Sequence, residues 1–454
     1  MLIIKNGLLI NPTDSSEPKV SDLWIEQGKI VSPPSIPPKG GKQDHQAYPR
    51  KATVIDAEGK WVTPGLIDTK ANFCDPGFPS QETIASGSRA AAAGGFTHVC
   101  LSPLTEPVVD NVTILEYLKS KAQECGLVDI LPIAAASKNL EGKEITEFQT
   151  LFEGGAVAFG DFERSGMNSF LFKVALQYTA SIGAVFVSQP FDRSLQNNGQ
   201  MNEGKISLTL GLSGMPAEGE SCELAKQLEV IRALQNEGYK ARVHFVGFSG
   251  ARSVELIRQA KRDGLHITAG VAAHYLSFTE EDIAEYNTNF KVNPPFRTAK
   301  DKEALFEGIL DGTIENIYSD HQPQKPFNKD TLFDEAPFGI SSLETTFLVT
   351  LEELFHKGKL KPKDLIKLFT LGSCKALGLP ETQISLLPGS EANVIIIDPN
   401  YEWTLNKDNF HSKSLNTPFL GHQMKDKKFK GKVTHTIKNG RIVFQHETLQ
   451  ATVK

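Results

Sequence analysis

The sequence predicts an α/β fold: a (β/α)8 barrel over residues 64–377 with a small β-sandwich built from residues 1–63 and 378–454. Three observations predict it. Between 64 and 377, short apolar strands alternate with longer helical stretches, the rhythm of parallel strands joined by crossover helices. Eight such strands stand in that span, at 65–68, 97–101, 129–133, 156–159, 184–187, 243–246, 266–269 and 316–319. The span exceeds the ~250 residues such a barrel typically needs. Outside it, both ends carry short apolar runs broken by polar turns, and neither end is long enough to bury a core by itself.

Taken in order, residues 2–10 and 23–31 read as strands, with Asn6-Gly7 and Gln27-Gly28 as turn signals between short strands. Residues 39–50, rich in Gly, Lys and Gln, read as a loop within the small domain. In the barrel region each strand has a plausible helix beside it, such as 253–262, stopped by Gly264. Strand texture returns at 392–398 and 433–444. The basic cluster at 425–432 between them reads as a solvated loop between strands.

Composition narrows the function classes. With 40% hydrophobic and 22% charged residues the chain is ordinary for a soluble globular protein. A net charge of −6 argues against general nucleic-acid binding, which draws its affinity from clustered Lys and Arg. No run of about eighteen apolar residues signals a membrane span, and the start Met1-Leu2-Ile3-Ile4-Lys5-Asn6-Gly7 lacks the features of a signal peptide, so a cytoplasmic protein is expected. The five cysteines are odd in number, widely spaced and without C-x-x-C, which suits reduced, mostly buried thiols. The eleven histidines are so dispersed that no two lie within seven positions, so H-x-H, H-x-x-H and H-E-x-x-H are all absent. His98, His244, His274 and His321 could meet only in space, and each is expected to satisfy local hydrogen bonds rather than hold a metal.

Pro64-Gly65-Leu66-Ile67-Asp68-Thr69-Lys70-Ala71-Asn72-Phe73-Cys74-Asp75-Pro76-Gly77 resembles the first-strand signature of the dihydroorotase branch of the amidohydrolases. Ordered matches follow along nearly the whole chain, among them Glu82-Thr83, Gly211-Leu212-Ser213-Gly214-Met215-Pro216, Val292-Asn293-Pro294-Pro295-Phe296-Arg297, Ser319-Asp320-His321 and Ala336-Pro337-Phe338-Gly339. The resemblance implies a TIM-like amidohydrolase barrel. It also implies where that family's functional residues would fall. The two metal-binding histidines of the first strand correspond to Lys70 and Asn72, and the fourth-strand Asp to Asp161. The fifth- and sixth-strand histidines correspond to Gln189 and Gly247, and the eighth-strand Asp, metal ligand and proton shuttle in the family, to Asp320. The Arg and Asn that hold the substrate carboxylate correspond to Cys74 and Leu104, whereas Asn293, Pro337 and Gly339 persist as weak substrate-binding positions.

An ammonium repels a divalent cation and an amide is a poor zinc ligand, so no cofactor is expected. Two carboxylates at one barrel mouth repel unless a cation lies between them. An ion pair or triad of Lys70 with Asp320 and Asp161 is therefore expected as a plug; the competing arrangement turns Lys70 to solvent and leaves one Asp protonated or water-linked. The resemblance then points to a non-catalytic dihydroorotase homologue of pyrimidine biosynthesis, a homo-oligomer (dimer) and structural partner of aspartate transcarbamoylase. The alternative is an active cyclic amidohydrolase, cleaving a cyclic amide C–N bond with a single zinc on Asp161, Asp320 and a nearby His.

Overall fold

The computed structural model describes residues 1–33, 52–420 and 428–446, except residues 165 and 284. The loop expected at 39–50 and residues 425–427 of the basic cluster lie outside the described residues.

The N-terminal segment forms β1 (Leu2–Leu9), β2 (Lys19–Glu26), β3 (Lys29–Val31), β4 (Thr53–Asp56) and β5 (Trp61–Pro64). The chain then enters the barrel through β6 (Leu66–Ala71), β7 (Phe96–Leu101), β8 (Asp129–Ala134), β9 (Ala158–Phe159) and β10 (Val185–Ser188). A short excursion pairs β11 (Met201–Asn202) with β12 (Gly214–Met215). The barrel resumes with β13 (Arg242–Phe245), β14 (Ile267–Ala272) and β15 (Asn316–Tyr318). Neighbouring barrel strands pair in parallel, in chain order from β6 to β15. Every residue of β6 and β7 is buried, as parallel strands covered on both faces require.

The last strand meets the first just beyond Tyr318. Asp320 N donates to Lys70 O at 3.1 Å, and Asn72 N donates to His321 O at 2.8 Å. The seam that closes the barrel therefore runs through the two residues of greatest functional interest, at the C-terminal ends of their strands, where barrel enzymes place their sites.

The C-terminal segment adds β16 (Val394–Thr404), β17 (Lys428–Lys438) and β18 (Arg441–Gln445). Strands from both ends of the chain hydrogen-bond as one sheet in the order β18-β17-β16-β5-β1-β2-β3, with β4 beside β1. Alternation along β16 explains its two faces. Val394 and Ile396 join Leu2, Ile4, Ile25 and Val62 in a separate small core, while Ile395 and Ile397 join the core of the barrel.

Three local expectations are refined. Gln27-Gly28 is the turn between β2 and β3, with φ of 49° and 78°. Asn6-Gly7 is no turn: it lies inside β1 as a bulge, where the pairing with β2 shifts register, and a Cβ on Gly7 would stand 2.4 Å from Val62 Cγ2. The basic cluster is not a solvated loop over its described part, because Lys428, Lys430 and Lys432 belong to β17 and Phe429 between them is buried. The helix Ala251–Arg262 ends just before Gly264. No helix among the described residues is long and apolar enough to cross a membrane.

Candidate functional site

Asp68 and Lys70 share one face of β6 because strand side chains alternate. Lys70 is only 2% exposed. Its Nζ lies 2.7 Å from Asp320 Oδ1 and donates to Gln189 Oε1 at 3.0 Å, while the Phe162 ring centroid is 5.5 Å away. Asp320, at φ 52°, is itself 4% exposed and also accepts from Gln322 Nε2 at 3.2 Å. Burial pulls the Lys70 ammonium down, but the charges of Asp320 and Glu163 outweigh it, so its pKa lies above the ordinary lysine value. Lys70 is therefore held as a buried ammonium by the carboxylate beside it.

Gln189 occupies its place because Gly247 has no side chain. Gly247 stands at φ 61°, its N–H donates to Tyr318 Oη at 2.7 Å, and a Cβ there would fall 2.4 Å from Gln189 Cδ. One conformational choice at 247 thus leaves room for the amide that caps Lys70.

Asp161 does not join this group, which corrects the expected triad. Its Oδ1 accepts from Ala136 N at 2.8 Å and Ser137 N at 2.9 Å, and its Oδ2 from Ser137 Oγ. Burial raises its pKa against the pull of those hydrogen bonds. The backbone turns at Phe162, φ 50°, and it is Glu163 whose charge reaches Lys70 instead.

The remaining predicted positions are mostly engaged in holding loops. Asn72 Oδ1 accepts from Cys74 N at 2.8 Å, and Cys74 is buried, its thiol pushed up to about 12 by burial. Leu104 packs against Val108, Ala135 and Leu140. Pro337 O accepts from Lys329 Nζ at 2.7 Å, and Gly339 N donates to Lys291 O at 3.0 Å. Asn293 Oδ1 is buried with no hydrogen-bond partner.

Nor do the four histidines assemble. His98 Nε2 lies 3.5 Å from Asp129, and His244 Nδ1 is 2.9 Å from Thr268 Oγ1. His321 Nδ1 accepts from Ser342 N at 3.1 Å, with its Nε2 3.5 Å from Glu82. His274 feels the charges of Asp320 and Lys70, yet burial lowers its pKa to about 4, and neither ring nitrogen has a hydrogen-bond partner.

This donor set does not fit the divalent metal that the resemblance implies for the family. Beside Asp320 stands an ammonium, the Gln189 oxygen is spent on that ammonium, and the Asp161 oxygens are spent on amides and a hydroxyl. Among the described residues no group of three or more His, Cys, Asp or Glu side chains could hold a metal ion.

Three further carboxylates, Asp68 and Glu82 buried and Glu163 half-buried, were given no role from the sequence. Asp68 accepts from Ser319 N at 2.8 Å and from Ser319 Oγ, and burial raises its pKa to about 7 against those bonds. Its position two residues before Lys70 was the available signal. Glu82 binds Ser86, Ser412 and the amide of Lys413, tying the segment before β17 to the barrel. Glu163 had no signal in its spacing.

Comparison with known proteins places this geometry in a family. The chain is 38% identical over 446 residues to a dihydroorotase of Syntrophus aciditrophicus, covering 98% of this chain and 100% of that relative. The chain belongs to the dihydroorotase family. A dihydroorotase of Pelotomaculum thermopropionicum is 39% identical over 452 residues, with 99% of this chain and 100% of the relative covered. The Dihydro-orotase-like family model matches residues 59–241, and the Amidohydrolase family model residues 218–443. Among solved structures, the L-hydantoinase (dihydropyrimidinase) of Arthrobacter aurescens superposes with a TM-score of 0.83 at 22% identity, covering 98% of this chain and 96% of that one. The dihydropyrimidinase of Brevibacillus agri NCHU1002 gives 0.81 at 19%, covering 98% and 95%. At those identities the likeness speaks for the amidohydrolase barrel fold of this dihydroorotase-family chain.

Proposed function

We propose that this chain is a dihydroorotase homologue of pyrimidine biosynthesis that does not hydrolyse the dihydroorotate ring and serves as a structural partner of aspartate transcarbamoylase. The observation that carries the first part is the buried Lys70–Asp320 pair at 2.7 Å, capped by Gln189 at 3.0 Å. Hydrolysis of a cyclic amide in this family needs a metal to lower the pKa of a water and polarise the carbonyl, with a free carboxylate to move the proton. Here the carboxylate at that position is neutralised by an ammonium that stays charged, so it supplies neither an activated nucleophile nor an electrophile. The place in pyrimidine biosynthesis is supported by the full-length identity to proteins named dihydroorotase. The partnership rests on the family resemblance.

Two measurements test it. Ring opening of dihydroorotate by the purified chain is expected to stay at the uncatalysed rate; turnover that vanishes in Asp320→Asn would overturn the reading. Size-exclusion chromatography with the aspartate transcarbamoylase of the same organism is expected to show one co-eluting complex. Separate elution at micromolar concentration removes the partner role.

A further inference from the structure

On the face opposite Lys70, at the N-terminal ends of the barrel strands, lies a groove of about 920 Å³. Its wall includes Val185, Arg242 and Ile267, the first residues of β10, β13 and β14. Sites of this kind combine apolar walls with a few convergent polar groups, in volumes of roughly 300–1,000 Å³.

The charges here are unevenly satisfied. Glu315 is saturated: Oε1 meets Lys375 Nζ at 2.9 Å, and Oε2 meets Lys261 Nζ at 2.5 Å and Ala269 N at 3.0 Å. Lys261 spends its other protons on Thr313 O at 2.7 Å and Gly312 O at 3.4 Å, and burial lowers its pKa. Lys375, 63% exposed, uses one of three protons on Glu315. Arg242 donates through Nη2 to Gly183 O, and among the described residues no other hydrogen bond engages its fork. Gly378 leaves room for that fork: a Cβ there would stand 2.6 Å from Arg242 Nη1. With Glu381 also in its lining, the groove holds three cations against two carboxylates, in a chain of net charge −6. Leu371 and Leu379, both half-buried, line it beside Val243 and Leu265.

We propose that this groove binds a small organic anion, a carboxylate or phosphate head on a compact apolar body. The head is taken by Arg242 and Lys375, the body by the leucine-lined wall. A planar guanidinium with free N–H groups suits a bidentate oxyanion. The site is independent of the barrel mouth.

Calorimetric titration of the full chain with phenyl phosphate, benzoate and inorganic phosphate tests the proposal. Saturable binding of phenyl phosphate or benzoate is expected at one site, at least about tenfold tighter than inorganic phosphate and at least about tenfold weaker in the Arg242→Gln/Lys375→Gln double variant. The tighter of the two aromatic probes identifies the head group. Three results would overturn it: no saturation by either aromatic probe up to about 10 mM, undiminished affinity in the double variant, or inorganic phosphate binding as tightly as either aromatic probe. Both side chains sit at the surface, and matching circular dichroism of variant and parent confirms an intact fold.

Discussion

Asp161 and Asp320 are buried carboxylates at the ends of two strands of one barrel, and they are kept there by opposite means. Asp161 is surrounded by neutral donors, two backbone amides and the Ser137 hydroxyl. Asp320 is held by a cation, Lys70, at 2.7 Å. The contrast teaches that two buried carboxylates of one barrel can be kept by unrelated means, neither of which involves the other. A backbone nest satisfies an anion without leaving any charge behind if it is lost, whereas an ion pair leaves its partner stranded in low dielectric.

The comparison breaks most visibly at the pair. Asp320→Asn is expected to cost about 3–5 kcal/mol in denaturant unfolding, because the Lys70 ammonium stays buried without its counter-charge. Replacing both partners, Lys70→Met with Asp320→Leu, is expected to be neutral or stabilising by about 1–4 kcal/mol. If the single variant costs no more than the double, the pair is not what fills the barrel mouth.

Asp68 sharpens the electrostatic side. Its native pKa of about 7 exceeds its unfolded value of about 3.9, so the folded chain holds an extra proton between roughly pH 4 and 7. Stability from this group is therefore greatest at low pH and falls as pH rises through that window. Urea unfolding should show Asp68→Asn gaining on the parent by about 2 kcal/mol between pH 5 and pH 7. A constant difference across that range would show that Asp68 is already ionised at pH 5.

Ser137→Ala tests the neutral nest. Loss of the hydroxyl that donates to the Asp161 carboxylate and accepts from Gly142 N is expected to cost about 1.5–3 kcal/mol, with no counterpart to the rescue expected when Lys70 and Asp320 are both replaced by apolar residues. The smallest effect is expected at Gly247→Ala, about 1–2 kcal/mol, from a side chain at φ 61° pressed against Gln189. Gln189→Ala combined with it should recover part of that loss; no recovery would place the cost in the backbone alone.

Much of this fold was legible in the sequence, and the physical reason is periodicity. Each of the eight expected barrel strands overlaps an observed one, since a parallel strand buried on both faces reads as a short apolar run. That the two termini form one small unit was foreseeable from their common texture; that they hydrogen-bond through β5 and β16 into one continuous sheet, where a sandwich was expected, was not. Local dihedrals were beyond reach. Nothing in Asp161-Phe162-Glu163 announces φ 50° at Phe162, yet the carboxylate of Asp161 lies on Ser137 while the charge of Glu163 reaches Lys70. Asn6-Gly7 has turn chemistry, yet the pairing of β1 with β2 continues past it with a register shift, and the nearby Val62 leaves room there only for a glycine.

The central claim is that an ammonium holds the place of a metal beside Asp320. Its most direct test is the metal content of the protein, by plasma mass spectrometry, after dialysis against a slight excess of zinc and desalting. The account predicts less than about a tenth of an equivalent, because the described residues assemble no group of His, Cys, Asp or Glu that could hold a metal ion; about one or two equivalents of tightly held metal would contradict it.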